Sequence, residues 1–195
     1  MLQRRRLLAA PFALGPLGLA APTTAPGATP ETLALLRAGG LVLALRHALA
    51  PGTFDPPNFR LGDCSTQRNL NDEGRQQARR IGAWFRAQGL TPARVRSSPW
   101  CRCVDTAALA FGTHEAWAAL GSPRGATEGT NAESLAALRE GVRQAGSQPG
   151  RFEVWVTHMF VLADLVGRNT GVGEGLLLRP GADGAPVVLG RWSID

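Results

Sequence analysis

The sequence contains no lysine, so its 21 basic side chains are all arginines. A formal net charge of +6 would ordinarily favour nucleic acid or a membrane surface as a partner. However, three arginines form the N-terminal cluster Arg4-Arg5-Arg6, and no run of basic and aromatic residues occurs, which argues against a nucleic-acid-binding protein. Six arginines of the remaining chain are solvated charges by default, namely Arg37, Arg60, Arg68, Arg79, Arg80 and Arg86. Arg60 and Arg68 are exceptions, because they lie in or at the end of the loop that follows His47.

The sequence also lacks an apolar run long enough to cross a bilayer, which takes about 20 residues. Its N-terminal apolar stretch, Leu7 to Ala21, is interrupted by Pro11 and Pro16. A basic start, such a stretch and a following segment of small residues are typical of an export signal. We predict that residues 1–28 are a twin-arginine or ordinary secretory signal, with a disordered basic tail as the alternative. Residues 29–195 then form one periplasmic or secreted domain without stable membrane insertion.

Cysteine is scarce, and none of Cys64, Cys101 and Cys103 has a metal-like spacing with a histidine. In an oxidising compartment this pattern favours one disulfide and a spare thiol over a zinc site. Cys101 and Cys103 are too close along the chain to pair comfortably with each other. We therefore expect Cys64 to pair with one of them.

Only three histidines are present, and two of them follow predicted strands. The apolar run 41–45 leads into Arg46-His47, and the run 152–156 leads into Thr157-His158, whereas His114 is expected at the surface. In open α/β sheets, ligands bind beyond the carboxyl ends of the strands. We therefore expect His47 and His158 at one site.

Predicted strands and helices alternate along the chain, without internal repeats. Strands are predicted at 41–45, 94–96, 152–156, 175–179 and 187–194, and helices at 30–38, 71–89, 100–110, 132–145 and 160–166. Ser98 is expected to cap the third helix, with Pro99 at its first position. The alternation predicts a three-layer α/β/α sandwich with a mostly parallel central sheet.

A further cation is expected near the two histidines. Arg102 falls in the first turn of the helix after strand 94–96, where the helix N-terminus favours an anion. A guanidinium group can bond two phosphate oxygens at once and stays charged at any working pH. We expect Arg46, His47, Arg102 and His158 to form a pocket for a tetrahedral dianion.

Four blocks of the sequence resemble the histidine phosphatase superfamily, which has the phosphoglycerate-mutase-like fold. The blocks are LRHA at 45–48, NLNDEGRQQA at 69–78, SSPWCR at 97–102 with DTA at 105–107, and VTH at 156–158. The resemblance implies that His47 is the nucleophile that becomes phosphorylated. It also implies that Arg46 and Arg102 hold the phosphate and that His158 supports the transferring group.

The chain departs from the commonest family pattern at two positions. Ala48 stands where glycine is usual, and Met159 stands where a polar residue is often found. We expect Ala48 to be tolerated because alanine keeps the turn compact. Met159 is expected to remove one polar contact.

The implied chemistry is attack by a neutral imidazole on phosphorus, followed by hydrolysis of the phosphohistidine. Arginines can stabilise the transferring oxygens without a metal, so we expect no metal or other cofactor. The leaving group still needs a general acid. Glu128 is preferred, because its Ala-Thr-Glu-Gly-Thr surroundings indicate a loop able to reach the pocket. Glu133, Glu174 and Asp63 are the alternatives.

These expectations favour an exported phosphatase that acts on a small phosphorylated substrate. An exported location would deprive a sugar-phosphate mutase of its usual intracellular substrate. The alternative is a non-catalytic protein of the same fold that binds phosphate or an anionic glycan and lacks a competent acid.

Overall fold

A six-stranded sheet organises the protein in a computed structural model, which describes residues 28–121 and 130–194. The strands are β1 (Leu41–Arg46), β2 (Arg94–Ser97), β3 (Glu115–Ala116), β4 (Phe152–Thr157), β5 (Gly175–Pro180) and β6 (Pro186–Trp192). Their order across the sheet is β3-β2-β4-β1-β5-β6. The first four strands in this order are parallel, while β5 and β6 form antiparallel pairs at the other edge. The sheet is therefore mostly parallel, as predicted.

Helices cover both faces of this sheet. The α-helices of the described residues are α1 (Pro30–Ala38), α2 (Asp72–Ala87), α3 (Cys101–Phe111), α4 (Ala132–Gly146) and α5 (Met159–Val166). The first three helices pack on one face of the sheet, and α4 and α5 pack on the other. Because side chains alternate along a strand, Leu43 of β1 joins the first core and Ala44 joins the second. This arrangement confirms the three-layer α/β/α sandwich.

The shortest elements are absent from the sequence prediction. They are β3 and two 3₁₀ turns at Cys64–Thr66 and Ala118–Leu120. Elements of two or three residues are too short to produce a periodic hydrophobic pattern. The longer helices and strands lie where the sequence predicts them, with ends that differ by one or two residues.

The predicted cap of α3 is wrong. Trp100 is the N-cap residue of this helix, and it makes no side-chain cap hydrogen bond. The hydroxyl of Ser98 instead lies 2.8 Å from Nε2 of His158. The Ser98 hydroxyl therefore bonds a buried imidazole, whereas the local sequence pattern predicts that it caps the helix.

None of the described helices combines the length and the hydropathy needed to cross a membrane. Residues 1–27 of the predicted export signal lie outside the described residues. The export signal and its cleavage therefore stay predictions.

Candidate active site

The carboxyl ends of β1, β2 and β4 bring the predicted site residues together. Strands β1 and β4 are parallel neighbours in which Arg46 pairs with Thr157, so the histidines that follow them emerge side by side. The backbone N–H of His47 donates to the carbonyl of Thr157 at 3.0 Å. The ring centroids of His47 and His158 are 5.6 Å apart. Arg102 reaches the same place from the first turn of α3.

Among the residues that the structure describes, His47 has a hydrogen-bond partner at only one ring nitrogen. The residue is only 2% exposed, and its Nδ1 lies 2.7 Å from the carbonyl oxygen of Ala48. A carbonyl only accepts, so Nδ1 carries the proton and Nε2 keeps its lone pair. Burial, reinforced by the charge of Arg102, lowers the pKa of His47 to about 3. The imidazole is therefore neutral at physiological pH, as a nucleophile requires.

The turn after His47 is fixed by α2 and α3. The Ala48 N–H donates to Oγ1 of Thr106 at 3.0 Å, and the Leu49 N–H donates to Oε1 of Gln77 at 2.9 Å. A Cβ atom at Gly74 would lie 1.9 Å from the carbonyl oxygen of Leu49, so only glycine lets α2 approach this closely. The sequence block at 69–78 therefore acts on the site by holding the turn that carries the nucleophile.

A buried carboxylate that the sequence analysis missed, Asp55, holds Arg102. The Arg102 side chain is 3% exposed and that of Asp55 is 1% exposed. Nη1 of Arg102 donates to Oδ1 and Oδ2 of Asp55 at 2.9 and 3.1 Å. Asp55 also accepts from the backbone N–H of Arg68 at 2.9 Å and from the indole N–H of Trp100 at 3.2 Å. These four bonds satisfy the buried carboxylate and orient the phosphate-binding arginine.

Three guanidinium groups surround a cavity of about 340 Å³. The cavity is lined by Arg46, His47, Gly52, Thr53, Arg68, Arg102, His158, Met159 and Phe160. Among the described residues, the Nε atoms of Arg46, Arg68 and Arg102 are buried and have no hydrogen-bond partner. Arg60, which the sequence singles out with Arg68, instead pairs on the surface with Asp63 at 2.9 Å.

Both ring nitrogens of His158 have protein partners. Nη2 of Arg102 lies 3.4 Å from Nδ1, and because a guanidinium only donates, Nδ1 accepts. The proton is then on Nε2, which donates to Oγ of Ser98 at 2.8 Å. The Phe160 ring stacks on the imidazole at 5.1 Å between centroids. Burial lowers the pKa of His158 well below its usual value, so this imidazole is neutral as well.

The three cysteines show which of the two open pairings forms. Cys64 and Cys101 form a disulfide with a Cα–Cα distance of 5.7 Å, and Cys103 is a buried free thiol. Cys103 faces His158, with Sγ 3.6 Å from Nε2. Burial raises the pKa of Cys103 to about 12, so the thiol stays protonated. The disulfide ties the loop between β1 and α2 to the first turn of α3.

None of the carboxylates that the structure describes lines the cavity. Asp63 caps the 3₁₀ turn at Cys64–Thr66, Glu174 pairs with Arg191, and Glu133 is exposed in the first turn of α4. Glu128, the preferred general acid, lies outside the described residues, so its role stays a prediction.

A larger cavity, of about 790 Å³, lies at the amino end of β2. Its lining includes Phe85, Leu90 and the partly exposed His114, but none of the three arginines of the smaller cavity. Size alone therefore does not mark the functional site. Across residues 28–121 and 130–194, no group of three His, Cys, Asp or Glu residues is placed to hold a metal ion.

The family model for the histidine phosphatase superfamily (branch 1) matches residues 45–120. This range contains His47, Arg102 and the β1–α2 loop between them. The chain is therefore similar to the histidine phosphatase superfamily over these residues, in agreement with the sequence blocks, and this similarity supports phosphatase activity. No curated protein matches the chain.

Solved structures share the fold at low sequence identity. The protein histidine phosphatase SixA in complex with tungstate is 17% identical, with 78% of this chain and 96% of that chain covered and a TM-score of 0.53. A phosphoserine phosphatase mutant from Entamoeba histolytica in complex with phosphoserine is 14% identical, with 77% and 95% covered and a TM-score of 0.55. A mycobacterial glucosyl-3-phosphoglycerate phosphatase is 16% identical, with 80% and 99% covered and a TM-score of 0.54. These similarities show the fold, which the helices and strands above already define.

Proposed function

We propose that this protein is an exported phosphatase that hydrolyses small phosphate monoesters through a phosphohistidine on His47. One observation carries the proposal. A buried, neutral imidazole lies at a cavity surrounded by three arginines. Its Nδ1–H donates to the Ala48 carbonyl, and its Nε2 has no hydrogen-bond partner within residues 28–121 and 130–194. This arrangement combines an activated nucleophile with a binding site for a tetrahedral anion.

In the first step, the guanidinium groups of Arg46 and Arg102 hold the phosphate oxygens and the Nε2 lone pair attacks phosphorus. The N–P bond forms as the ester P–O bond breaks, and its electron pair leaves with the substrate oxygen. A general acid, which the sequence predicts to be Glu128, protonates that oxygen. The positive charge that develops on the imidazole is stabilised by the bond from Nδ1–H to the Ala48 carbonyl.

In the second step, water attacks the phosphohistidine. The new O–P bond forms, the N–P bond breaks, and its electron pair returns to Nε2 of His47. The conjugate base of the general acid takes the proton from water, so phosphate and the starting enzyme result. Throughout both steps, the two hydrogen bonds from Nη1 of Arg102 to the Asp55 carboxylate keep the guanidinium in place, so little reorganisation is needed as charge develops.

Phosphohistidine formation can be tested with a ³²P-labelled generic phosphate monoester at acidic and neutral pH. We expect an acid-labile label on the wild-type protein and on His114→Ala, and neither label nor turnover with His47→Ala. His114 is a suitable control because it is partly exposed and remote from the site. Turnover that persists in His47→Ala would overturn the mechanism.

The second candidate function is phosphate or anionic-glycan binding without catalysis. It is favoured by the absence of a cavity-lining carboxylate among residues 28–121 and 130–194. Glu128→Gln, with Glu73→Gln in the exposed first turn of α2 as control, separates the candidates. An enzyme that uses Glu128 should lose about 10²–10⁴-fold in turnover while it still binds phosphate. A wild-type protein that binds phosphate but shows no turnover would support the binding protein.

Export is tested separately, by fractionation of cells that express the full chain and by mass spectrometry of the product. We expect a periplasmic or secreted protein whose N-terminus lies near Thr29. A full-length protein retained in the cytoplasm would contradict export and leave the catalytic proposal standing.

A further inference from the structure

Arg68 reaches the cavity from the loop that follows β1, one residue before the sequence block at 69–78. We infer that Arg68 is a third phosphate-binding residue, and that Asp55 positions it together with Arg102 by bonding both. The inference rests on the proposed phosphatase function and adds a specific preference for doubly charged anions. It also explains why this arginine is partly buried and carries an unbonded polar group.

The position of Arg68 is fixed at both its backbone and its side chain. The backbone N–H donates to Oδ1 of Asp55 at 2.9 Å, and the same oxygen accepts from Nη1 of Arg102 at 2.9 Å. Nη1 of Arg68 donates to the carbonyls of Ala50 and Gly52. These bonds leave Nε, which is buried and has no partner among the described residues. A buried donor without a partner is costly unless a ligand accepts from it.

The charges of the site support the same conclusion. Three guanidinium groups and the Asp55 carboxylate leave two positive charges, because both histidines are neutral. A phosphate monoester dianion carries two negative charges. The two positive charges of the site balance them only if Arg68 is counted. Without Arg68, the buried pair with Asp55 would cancel one of the two remaining arginines.

A purely structural role for Arg68 is the competing interpretation, because its side chain also bonds two loop carbonyls. The two roles differ in their dependence on ligand charge. A phosphate-binding cation stabilises a doubly charged anion more than a singly charged one of the same shape. A residue that only shapes the loop affects both anions equally.

The test uses tungstate and perrhenate, which are tetrahedral anions with charges of −2 and −1. Their affinities are measured by calorimetry, with perrhenate in competition where its binding is weak. The proteins are the wild type, Arg68→Gln, and Arg60→Gln, all with the Cys64–Cys101 disulfide intact. Arg60→Gln is the matched control, since it removes one charge from a surface pair in the same loop.

We expect Arg68→Gln to weaken tungstate binding by about 10- to 100-fold, as for loss of a charged hydrogen bond, and perrhenate binding by a clearly smaller factor. Arg60→Gln should leave both affinities within about twofold of the wild type, because exposed charges are screened. Arg68→Lys should recover part of the tungstate affinity, since it restores the charge without the planar group.

Two results would overturn the inference while the proposed function stands. One is unchanged tungstate affinity in Arg68→Gln. The other is an equal loss for both anions together with a lower melting temperature, which would show a structural role. Failure of the wild-type protein to bind tungstate or phosphate at all would instead overturn both the inference and the proposed function.

Discussion

The ends of β1 and β4 look alike in sequence and burial but differ in how they treat their histidines. The two strands are parallel neighbours in the interior of the sheet, and His47 and His158 are both 2% exposed. The His47 ring bonds a backbone carbonyl through Nδ1, and its Nε2 has no partner in the part of the chain that the structure describes. The His158 ring has protein partners at both nitrogens, namely Ser98 and Arg102.

This difference shows how the same residue type takes two roles in one cavity. A free lone pair suits nucleophilic attack, whereas a ring bonded at both nitrogens suits support of a neighbouring arginine. Burial and strand position are therefore not enough to assign a role. The partners of each ring nitrogen distinguish the nucleophile from the supporting residue.

The largest expected effect tests this division directly. His47→Ala should abolish phosphoenzyme formation, whereas His158→Ala should slow labelling by about 10²–10³-fold without preventing it, because it removes a support for Arg102. Rapid-quench labelling with a ³²P-labelled monoester measures both. Equal and complete loss in the two variants would remove the distinction between the strand ends.

Arg102, which bonds His158 after β4, is itself held by Asp55. Asp55→Ala leaves a buried guanidinium without its carboxylate, so we expect the free energy of unfolding to fall by about 3–5 kcal/mol. Asp63→Ala is the control, because its pair with Arg60 is exposed and should contribute about 0–1 kcal/mol. Urea unfolding measures both. Similar losses in the two variants would show that the buried Asp55–Arg102 pair contributes no more to the free energy of unfolding than the exposed pair does.

Both histidines should make the fold sensitive to acid. The pKa of His47 is lowered to about 3 and that of His158 is also lowered, so below pH ~6.5 the unfolded chain binds protons that the native protein refuses. Stability should therefore fall as pH decreases from about 6.5 towards 3, by about 1.4 kcal/mol per pH unit from His47, and His158 should add a loss of the same sign.

Urea unfolding at several pH values, in the wild type, His47→Gln and His114→Gln, measures this dependence. In His47→Gln, the free energy of unfolding should depend less steeply on pH than in the wild type. In His114→Gln, this pH dependence should stay closer to that of the wild type. A wild-type slope that His47→Gln leaves intact would mean that this imidazole is readily protonated in the folded state.

The smallest expected effect concerns Ser98. Ser98→Ala removes the acceptor for the Nε2–H of His158 and should lower kcat by about tenfold, in keeping with one buried hydrogen bond. Ser98→Thr keeps the hydroxyl and should recover part of the activity. The phosphoenzyme on His47 should still form in both. Steady-state kinetics with a generic monoester gives the kcat and KM values. An unchanged kcat in Ser98→Ala would show that the hydrogen bond between His158 and Ser98 does not contribute to catalysis.

Much of the fold follows from local patterns. The signals that set the strand–helix order each lie within a few residues of sequence, so this order can be predicted. They include the apolar runs of the strands, the Asn71 cap of α2 and Gly89 after that helix. The positions of His47 and His158 after strands follow from the same patterns. Arg46 follows from the same strand end and Arg102 from the first turn of a predicted helix, and the family blocks add the role expected of each.

What the sequence by itself determined is therefore the layered fold, the three site residues at strand ends and Arg102 in the first turn of a helix, since short-range periodicity and helix signals encode them. Only the tertiary structure decided that Asp55 holds Arg102, that Ser98 bonds His158, and that Cys64 pairs with Cys101. These partners are 47, 60 and 37 residues apart in the chain. A lone aspartate or serine in a loop has no periodic pattern, and its partner is set by packing around the buried charges, which no local stretch of sequence contains.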